Sequence, residues 1–331
     1  MRASSEGMTL VRKARRNTSW MQYLARTETG IAIVIILLGI LITVTNSAFL
    51  TSNNLFNLLR SMAITGLLAV GMTFVMVSGE LDLAVGSTLA LSGVGAAMLA
   101  PTIGWPAALA AGVVIGGGVN YVSGMLTTAV GVSSFIVTLG MMSVARGLAL
   151  LFSGGMPQQS PASMNFLGQG KLGPIPVQVV VLVVVAVIAH YVLTRTVLGG
   201  QIHAVGDNKE ASRLSGIPVK RVKLICFVFL GALAGLTGLI RASQLGVAEP
   251  NGAIGIELDV IAAVVIGGAS LFGGRGTVLG AMLGALLLAE LRNAFVLLHL
   301  SNFLQVVSIG AVIILATIFD RVRSRRGVRG T

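Results

Sequence analysis

Charged residues are scarce in this chain of 331 residues, since Asp, Glu, Lys and Arg together make up only 10% of it. A soluble globular domain carries about 25%, so the composition excludes an ordinary water-soluble fold. The chain has one cysteine, Cys226, which excludes an intrachain disulfide and a cysteine-based metal site. Three histidines lie near different predicted helix ends and loops, so the sequence predicts no metal site and no cofactor.

Hydrophobic residues are abundant instead and make up 55% of the chain. They gather in runs of about twenty residues, and a helix of that length crosses a hydrocarbon core of roughly 30 Å. We therefore predict an all-α polytopic membrane protein with about ten transmembrane helices, the first of them a retained span rather than a cleaved leader. The predicted spans are residues 30–46, 62–79, 84–100, 107–129, 133–152, 176–194, 223–241, 258–271, 277–294 and 303–319.

Two of these predicted helices are interrupted. Glu80 and Asp82 separate the second span from the third, and the eighth ends in a glycine-rich stretch, residues 267–276. Irregular backbone inside a membrane occurs where protein or a water-filled cavity satisfies it, and broken helices often mark a translocation path. Two interpretations stay open: broken or re-entrant helices beside a path, or ordinary tight turns at the membrane interface.

Glycines, 43 in total, recur at four-residue spacing in several spans. This spacing lets two helix backbones approach closely in a membrane, so we predict tight helix contacts there. The pairs and triplet are Gly112/Gly116, Gly231/Gly235 and Gly276/Gly280/Gly284.

The formal net charge of +12 is distributed unevenly. Of the 23 Lys and Arg residues, 18 fall on one side of the predicted membrane and 4 on the other, with Arg146 inside a span. The positive-inside rule assigns the richer side to the cytoplasm, so we predict cytoplasmic termini and no nucleic-acid partner. The chain then divides into a basic N-terminus at 1–29, a transmembrane domain at 30–319 and a basic C-terminus at 320–331.

The longest polar break between spans, residues 195–222, contains the signals of a short helix. Asp207 or Asn208 can cap its first turn by accepting a backbone hydrogen bond, and Gly216 can end it. We predict a short helix beneath the membrane with a small apolar face. It is either a linker or a knob that fits a groove on a cytoplasmic partner.

Three stretches of the chain resemble the permease subunits of ribose-type carbohydrate ABC importers. The resemblance covers roughly residues 50–320 and is carried by Asn53–Asn57 with Ala69–Thr73 and Asp82–Ser87, by Gly206–Ile217, and by Glu257–Gly268 continued through Gly276. The chain departs from the family at Ile309, where relatives often carry a basic residue, and at Glu290 and Arg292, where relatives tend to be apolar or amide-bearing. These departures leave the substrate open.

The resemblance implies a type II ABC importer-like fold and a function. The chain would form the translocation pathway for a monosaccharide or related polyol across the bacterial inner membrane, without being an enzyme itself. Its partners would be a second permease subunit (identical or paralogous), cytoplasmic ATP-binding subunits and a periplasmic or lipid-anchored sugar-binding protein. The residues implied to contact the ATPase are Asp207, Asn208, Ala211, Arg213, Leu214, Ser215 and Gly216.

Polar side chains inside the spans are the candidates for the path or its gates, because such residues usually face a cavity or a partner. They are Asn54, Thr73, Asp82, Asp259, Glu290 and Asn293. For each, a structural role is the alternative. The two aspartates can accept hydrogen bonds from backbone freed at a helix break, Glu290 can pair with Arg292, and the neutral residues can bond between helices.

Two alternative functions are an ion-coupled secondary transporter and a membrane enzyme. An ion-coupled secondary transporter is favoured by the acidic residues at the interruptions, Glu80 with Asp82 and Glu257 with Asp259. A membrane enzyme would require catalytic polar groups near one interface, and the sequence shows no such set. Residues 168–172 lack the upstream Gly and the Ser or Thr after Lys of a P-loop, so no catalytic residue is predicted and ATP hydrolysis is assigned to a separate subunit.

Overall fold

The computed structural model describes residues 27–301, 303–311 and 314, and most of these are helical. The long helices are α1 Thr27–Thr45, α2 Ser52–Val77, α3 Val85–Ile103, α4 Trp105–Met125, α5 Ser134–Ser153, α7 Val177–Arg195, α10 Val219–Leu245 and α12 Val278–Leu297. The shorter helices are α6 Asn165–Gln169, α8 Val197–Asp207, α9 Lys209–Leu214 and α11 Ile256–Ile266, followed by α13 at 303–311. Two 3-10 turns, Ser47–Leu50 and Ala162–Met164, and a π-helical turn after α4, Leu126–Val130, complete the helical elements of the described residues.

Eight helices of the described ranges are long and apolar enough to cross a membrane. Lipid offers no hydrogen bonds, so a crossing segment must satisfy its backbone internally, as a helix does. The predicted span 62–79 begins too late, because α2 extends back to Ser52. Its first turns contain the polar residues Ser52, Asn53, Asn54 and Asn57. The predicted span 258–271 corresponds to α11, whose 11 residues are too few to cross alone.

Four two-residue strands lie together at one end of the helix bundle, which we call the strand end. Strand β1 (Gln158–Gln159) pairs antiparallel with β4 (Val247–Ala248), and β2 (Lys171–Leu172) pairs with β3 (Ile175–Pro176). The opposite end carries α9 and the loop at 267–277, and we call it the α9 end. The β1–β4 pair ties the loop after α5 to the end of α10.

The helices differ greatly in how far the protein covers them. Only 11% of the apolar window of α1 is buried, against 83% for α2. Helix α2 packs against α7, α10, α11 and α12, whereas α10 also packs against α3 and α4. Helices α2 and α10, one from each half of the chain, therefore lie at the centre of the bundle.

The predicted glycine contacts are confirmed except at Gly276, which lies before the start of α12. A Cβ on Gly116 would lie 2.8 Å from the backbone nitrogen of Gly235, and one on Gly231 would reach the backbone of Gly116. Helices α4 and α10 thus touch backbone to backbone. Likewise Gly280 and Gly284 of α12 lie against Gly267 and Ala263 at the end of α11.

The two interruptions are partly buried by the surrounding protein. After α2, Gly79 adopts a φ of +82° and the chain runs as non-helical backbone to Ala84, with Asp82 fully buried. After β4, residues 249–255 and α11 together lead from the strand end to Gly267, which contacts α12 near the α9 end. The second interruption therefore contains a short, broken helix, whereas residues 78–84 join two helices that are each long enough to span a membrane.

The glycine contact between α4 and α10 can be tested with two matched alanine variants. We expect Gly116→Ala to destabilise the protein by about 1–3 kcal/mol, because overpacking forces the backbones apart. Gly118→Ala adds the same methyl group to open space and should leave stability unchanged. Thermal unfolding in detergent, followed by size-exclusion chromatography, measures both; equal melting temperatures would contradict the contact.

Candidate transport path and coupling segment

Residues 196–218, the α8–α9 segment, form the largest structured connection at the α9 end. Thr196 caps α8 by accepting from the backbone N–H of Gly199, and Asn208 caps α9 by accepting from Ala211 over 2.9 Å. Gly216 then adopts a φ of +81° and its N–H donates to the carbonyl of Arg213. The predicted short helix and its Asn208 cap are confirmed.

The surface of α9 combines an apolar tip with charged flanks. The Leu214 side chain is 76% exposed, and Glu210 forms an exposed ion pair with Arg213 at 2.6 Å. The Arg213 hydrogen bond and charge hold the pKa of Glu210 below its ordinary value, so the pair persists at neutral pH and is lost as the pH falls through that lowered pKa. An exposed pair of this kind contributes little stability, which leaves these side chains available for a partner.

The seven residues predicted to contact the ATPase therefore share one short element. Asp207 ends α8, Asn208 caps α9, and Ser215 and Gly216 close it. All seven of them are exposed.

Asp82 holds the break between α2 and α3. Its Oδ1 accepts from the backbone N–H of Ala84 and its Oδ2 from the Asn120 side chain of α4, both over 2.7 Å. Thr88 also donates to Asn120, at 3.4 Å. A buried carboxylate with these donors fixes the start of α3 against α4.

Asp259 of α11 pairs with Arg292 of α12, in an ion pair that is largely buried on the aspartate side. The expected pairing of Glu290 with Arg292 is wrong. Residues two apart on a helix point to different faces, so the two side chains diverge. Glu290 is buried against α1, near Gly39, and its Oε2 has no hydrogen-bond partner among the described residues.

The neutral polar candidates are bonded within the protein. Asn54 and Asn293 exchange side-chain hydrogen bonds of 2.9 and 2.7 Å between α2 and α12. Asn54 also donates to the carbonyl of Phe49. The Thr73 hydroxyl, fully buried, donates to the carbonyl of Ala69 one turn earlier.

Sequence reasoning missed three polar residues that complete these sites. Asn120 binds Asp82, as described above. Lys223, in the first turns of α10, forms a buried ion pair with Glu80 at 2.5 Å. Arg146 of α5 donates to the carbonyl oxygens of Pro250 and Gly252 in the loop before α11. A polar residue inside an apolar run was the available signal, but its partner lies far away in the chain.

A shallow pocket opens near the strand end, between α3 and the end of α10. Arg241 and Glu249 are its charged lining residues, and Leu89, Leu245 and Gly252 are among the others. Within the described residues, no three His, Cys, Asp or Glu side chains converge as a metal site.

Comparison with known proteins agrees with this architecture. Residues 54–317 match the family model described as branched-chain amino acid transport system / permease component. The chain is 37% identical over 294 residues to the ribose import permease protein RbsC of Escherichia coli (strain K12), covering 87% of this chain and 92% of that protein. It is 39% identical over 292 residues to RbsC of Bacillus subtilis (strain 168), covering 87% and 91%.

A third relative carries a different sugar in its name. The L-arabinose ABC transporter permease protein AraH of Azospirillum brasilense is 38% identical over 298 residues, covering 89% of this chain and 88% of that protein. No solved structure matches the chain. These relatives are permease components, which are transport subunits rather than enzymes. The chain therefore belongs to the family of multi-pass ABC-importer permease components that includes these sugar permeases.

Proposed function

We propose that this chain forms the membrane path of an ABC importer for a monosaccharide or a related polyol. Two observations together support the proposal. The chain is a bundle of apolar helices whose sequence is similar to those of sugar permeases, and a capped, exposed helix, α9, lies at one end of the bundle. The family description names branched-chain amino acids, but the relatives described above that share more than a third of their residues with this chain are named for sugars.

The assembly includes ATP-binding subunits and a sugar-binding protein on opposite sides of the membrane. The α9 end faces the cytoplasm, as do both termini, because the basic residues are concentrated there. The α8–α9 segment docks on the ATP-binding subunit through Asp207, Asn208, Ala211, Arg213, Leu214, Ser215 and Gly216. A second permease subunit, identical or related, completes the path, as the family resemblance implies.

The polar candidates act on the path in different ways. Asp82, Asp259, Asn54, Asn293 and Thr73 hold the helices and breaks that surround it, since each is hydrogen-bonded within the protein. Glu290 is the candidate gate residue of the set, because one of its carboxylate oxygens is buried and unpartnered among the described residues.

The ion-coupled alternative has less support. All four acidic residues at the two breaks are engaged. Glu80 pairs with Lys223, Asp82 binds Asn120, Asp259 pairs with Arg292, and Glu257 accepts from the backbone N–H of Gly255. A proton or sodium relay requires carboxylates that can change partners during transport.

Reconstitution tests the proposed function directly. Proteoliposomes that contain the permease with its ATP-binding subunit should accumulate a radiolabelled pentose or hexose. ATP is supplied on the side of the membrane that carries the ATP-binding subunit, and the binding protein is supplied on the opposite side. Uptake should persist with an uncoupler and stop without the ATP-binding subunit. Accumulation by the permease alone, abolished by the uncoupler, would instead identify an ion-coupled transporter.

The docking role of α9 can be tested at its apolar tip. We expect Leu214→Ser to insert normally but to reduce capture of the ATP-binding subunit about tenfold, because an apolar anchor in a groove contributes about 1.4 kcal/mol or more. The control is Leu172→Ser, which removes an exposed leucine at the strand end. Pull-down in detergent measures both variants, and normal capture by Leu214→Ser would exclude this docking surface.

The interhelical role of the asparagine pair can be separated from sugar contact. We expect a double-mutant cycle of Asn54→Ala and Asn293→Ala to give a coupling of about 0.6 kcal/mol in thermal stability, as for other membrane hydrogen bonds. The sugar concentration that gives half-maximal uptake should stay within about twofold of wild type. A large increase in that concentration without any loss of stability would place the pair in the path itself.

A further inference from the structure

Glu80 and Lys223 form an ion pair that connects the break after α2 to the start of α10. Lys223 Nζ lies 2.5 Å from Glu80 Oε1, and the side chains are only 8% and 14% exposed. The residues are 143 positions apart in the chain. An ion pair removed from water is held firmly, because separating the partners leaves an uncompensated buried charge.

A second contact fastens the same break from another direction. A Cβ on Gly206, at the end of α8, would clash with the backbone of Val77 and Gly274. The N–H of Gly274 in turn donates to the carbonyl of Val77 over 2.9 Å. Only glycine permits this approach, so the end of α8 lies directly on the end of α2.

These two contacts bracket helix α9. Gly206 lies just before α9 in sequence and Lys223 lies shortly after it. Both ends of the coupling element are therefore attached to one place, residues 77–80. The exposed side chains of α9 lie between the two attachments, so a force on α9 acts on the break after α2.

The break passes such a displacement further into the bundle. Two residues beyond Glu80, Asp82 is bound to Asn120 of α4 and to the backbone of Ala84. Between them, the N–H of Leu81 donates to the Ser134 hydroxyl at the start of α5, at 3.3 Å. Moving Glu80 therefore changes the positions of α3, α4 and α5 relative to α2.

We propose that the Glu80–Lys223 ion pair is the positioning link through which the ATP-driven displacement of α9 reaches the broken segment at 78–84. The proposal rests on the proposed function, because it requires an ATP-binding subunit docked on α9. Lys223 moves with the coupling element, and Glu80 moves with the transport path. Without the pair, ATP hydrolysis continues and the path does not respond.

The experiment uses the complete reconstituted importer with four variants. Glu80→Gln and Lys223→Gln each remove one charge, and the double variant Glu80→Lys with Lys223→Glu restores the pair in reverse. The control is Arg275→Gln, which removes an exposed charge at the same end of the bundle. The measurements are complex yield, basal ATPase activity, ATPase stimulation by the sugar-loaded binding protein, and sugar uptake.

We expect both single variants to assemble and to hydrolyse ATP at the basal rate. Stimulation and uptake should fall about tenfold together, which is within the range by which mutations along a coupled network alter coupling. The reversed pair should regain most of both, and Arg275→Gln should match wild type. Normal stimulation in either single variant overturns the proposal.

The experiment still tests the proposal if some variants fail to fold. If the single variants do not assemble, the reversed pair is the deciding variant. Assembly of the reversed pair with stimulated transport supports the link. Assembly without stimulation, or no assembly, assigns the pair a purely structural role and overturns the proposal. Failure of the proposed function is distinct from these outcomes, because then the wild-type complex itself shows no ATP-dependent uptake.

Discussion

Backbone hydrogen bonding in lipid is the constraint on which this structure depends. A continuous helix meets that constraint by itself, so the eight long helices of the described residues need little from their neighbours. A broken helix cannot, and the protein must supply partners. At the break after α2, the Asp82 carboxylate receives the N–H of Ala84. Before α11, Arg146 donates to two freed carbonyl groups. Asp82 and Arg146 thus bind backbone groups where the chain stops being helical.

Buried charges follow from the same constraint. An ionised group inside such a bundle needs an opposite charge or several hydrogen bonds. Glu80 has Lys223, and Asp259 has Arg292. Each pair joins segments far apart in sequence, so each also fixes the position of a break relative to a long helix. An ion pair that neutralises buried charge thus also connects a break to a long helix.

Much of the fold follows from the sequence because its signals are local. The all-helical, membrane-spanning class of the fold, the glycine spacing that brings Gly116 to Gly235, and the Asn208 cap of α9 each depend on a few adjacent residues. The predicted start of α2 was too late because polar side chains such as Asn54 lower the hydropathy of its first turns. The partner of Asn54, Asn293, is 239 positions away in the chain. The partner of Arg292 was misassigned although helical geometry alone separates it from Glu290. Tertiary contacts over such distances leave no mark in a single sequence.

The packing of α2 also bears on how the chain is built during synthesis. Its main neighbours, α7, α10, α11 and α12, all follow it by a hundred residues or more. When the first half of the chain enters the membrane, α2 has none of the surfaces against which it is finally buried. Asn54 has no Asn293 to bind until the ribosome has delivered α12. Insertion and final packing of α2 are therefore separate events in time, and a gene truncated before α10 encodes a fragment in which α2 lacks three of these four neighbours.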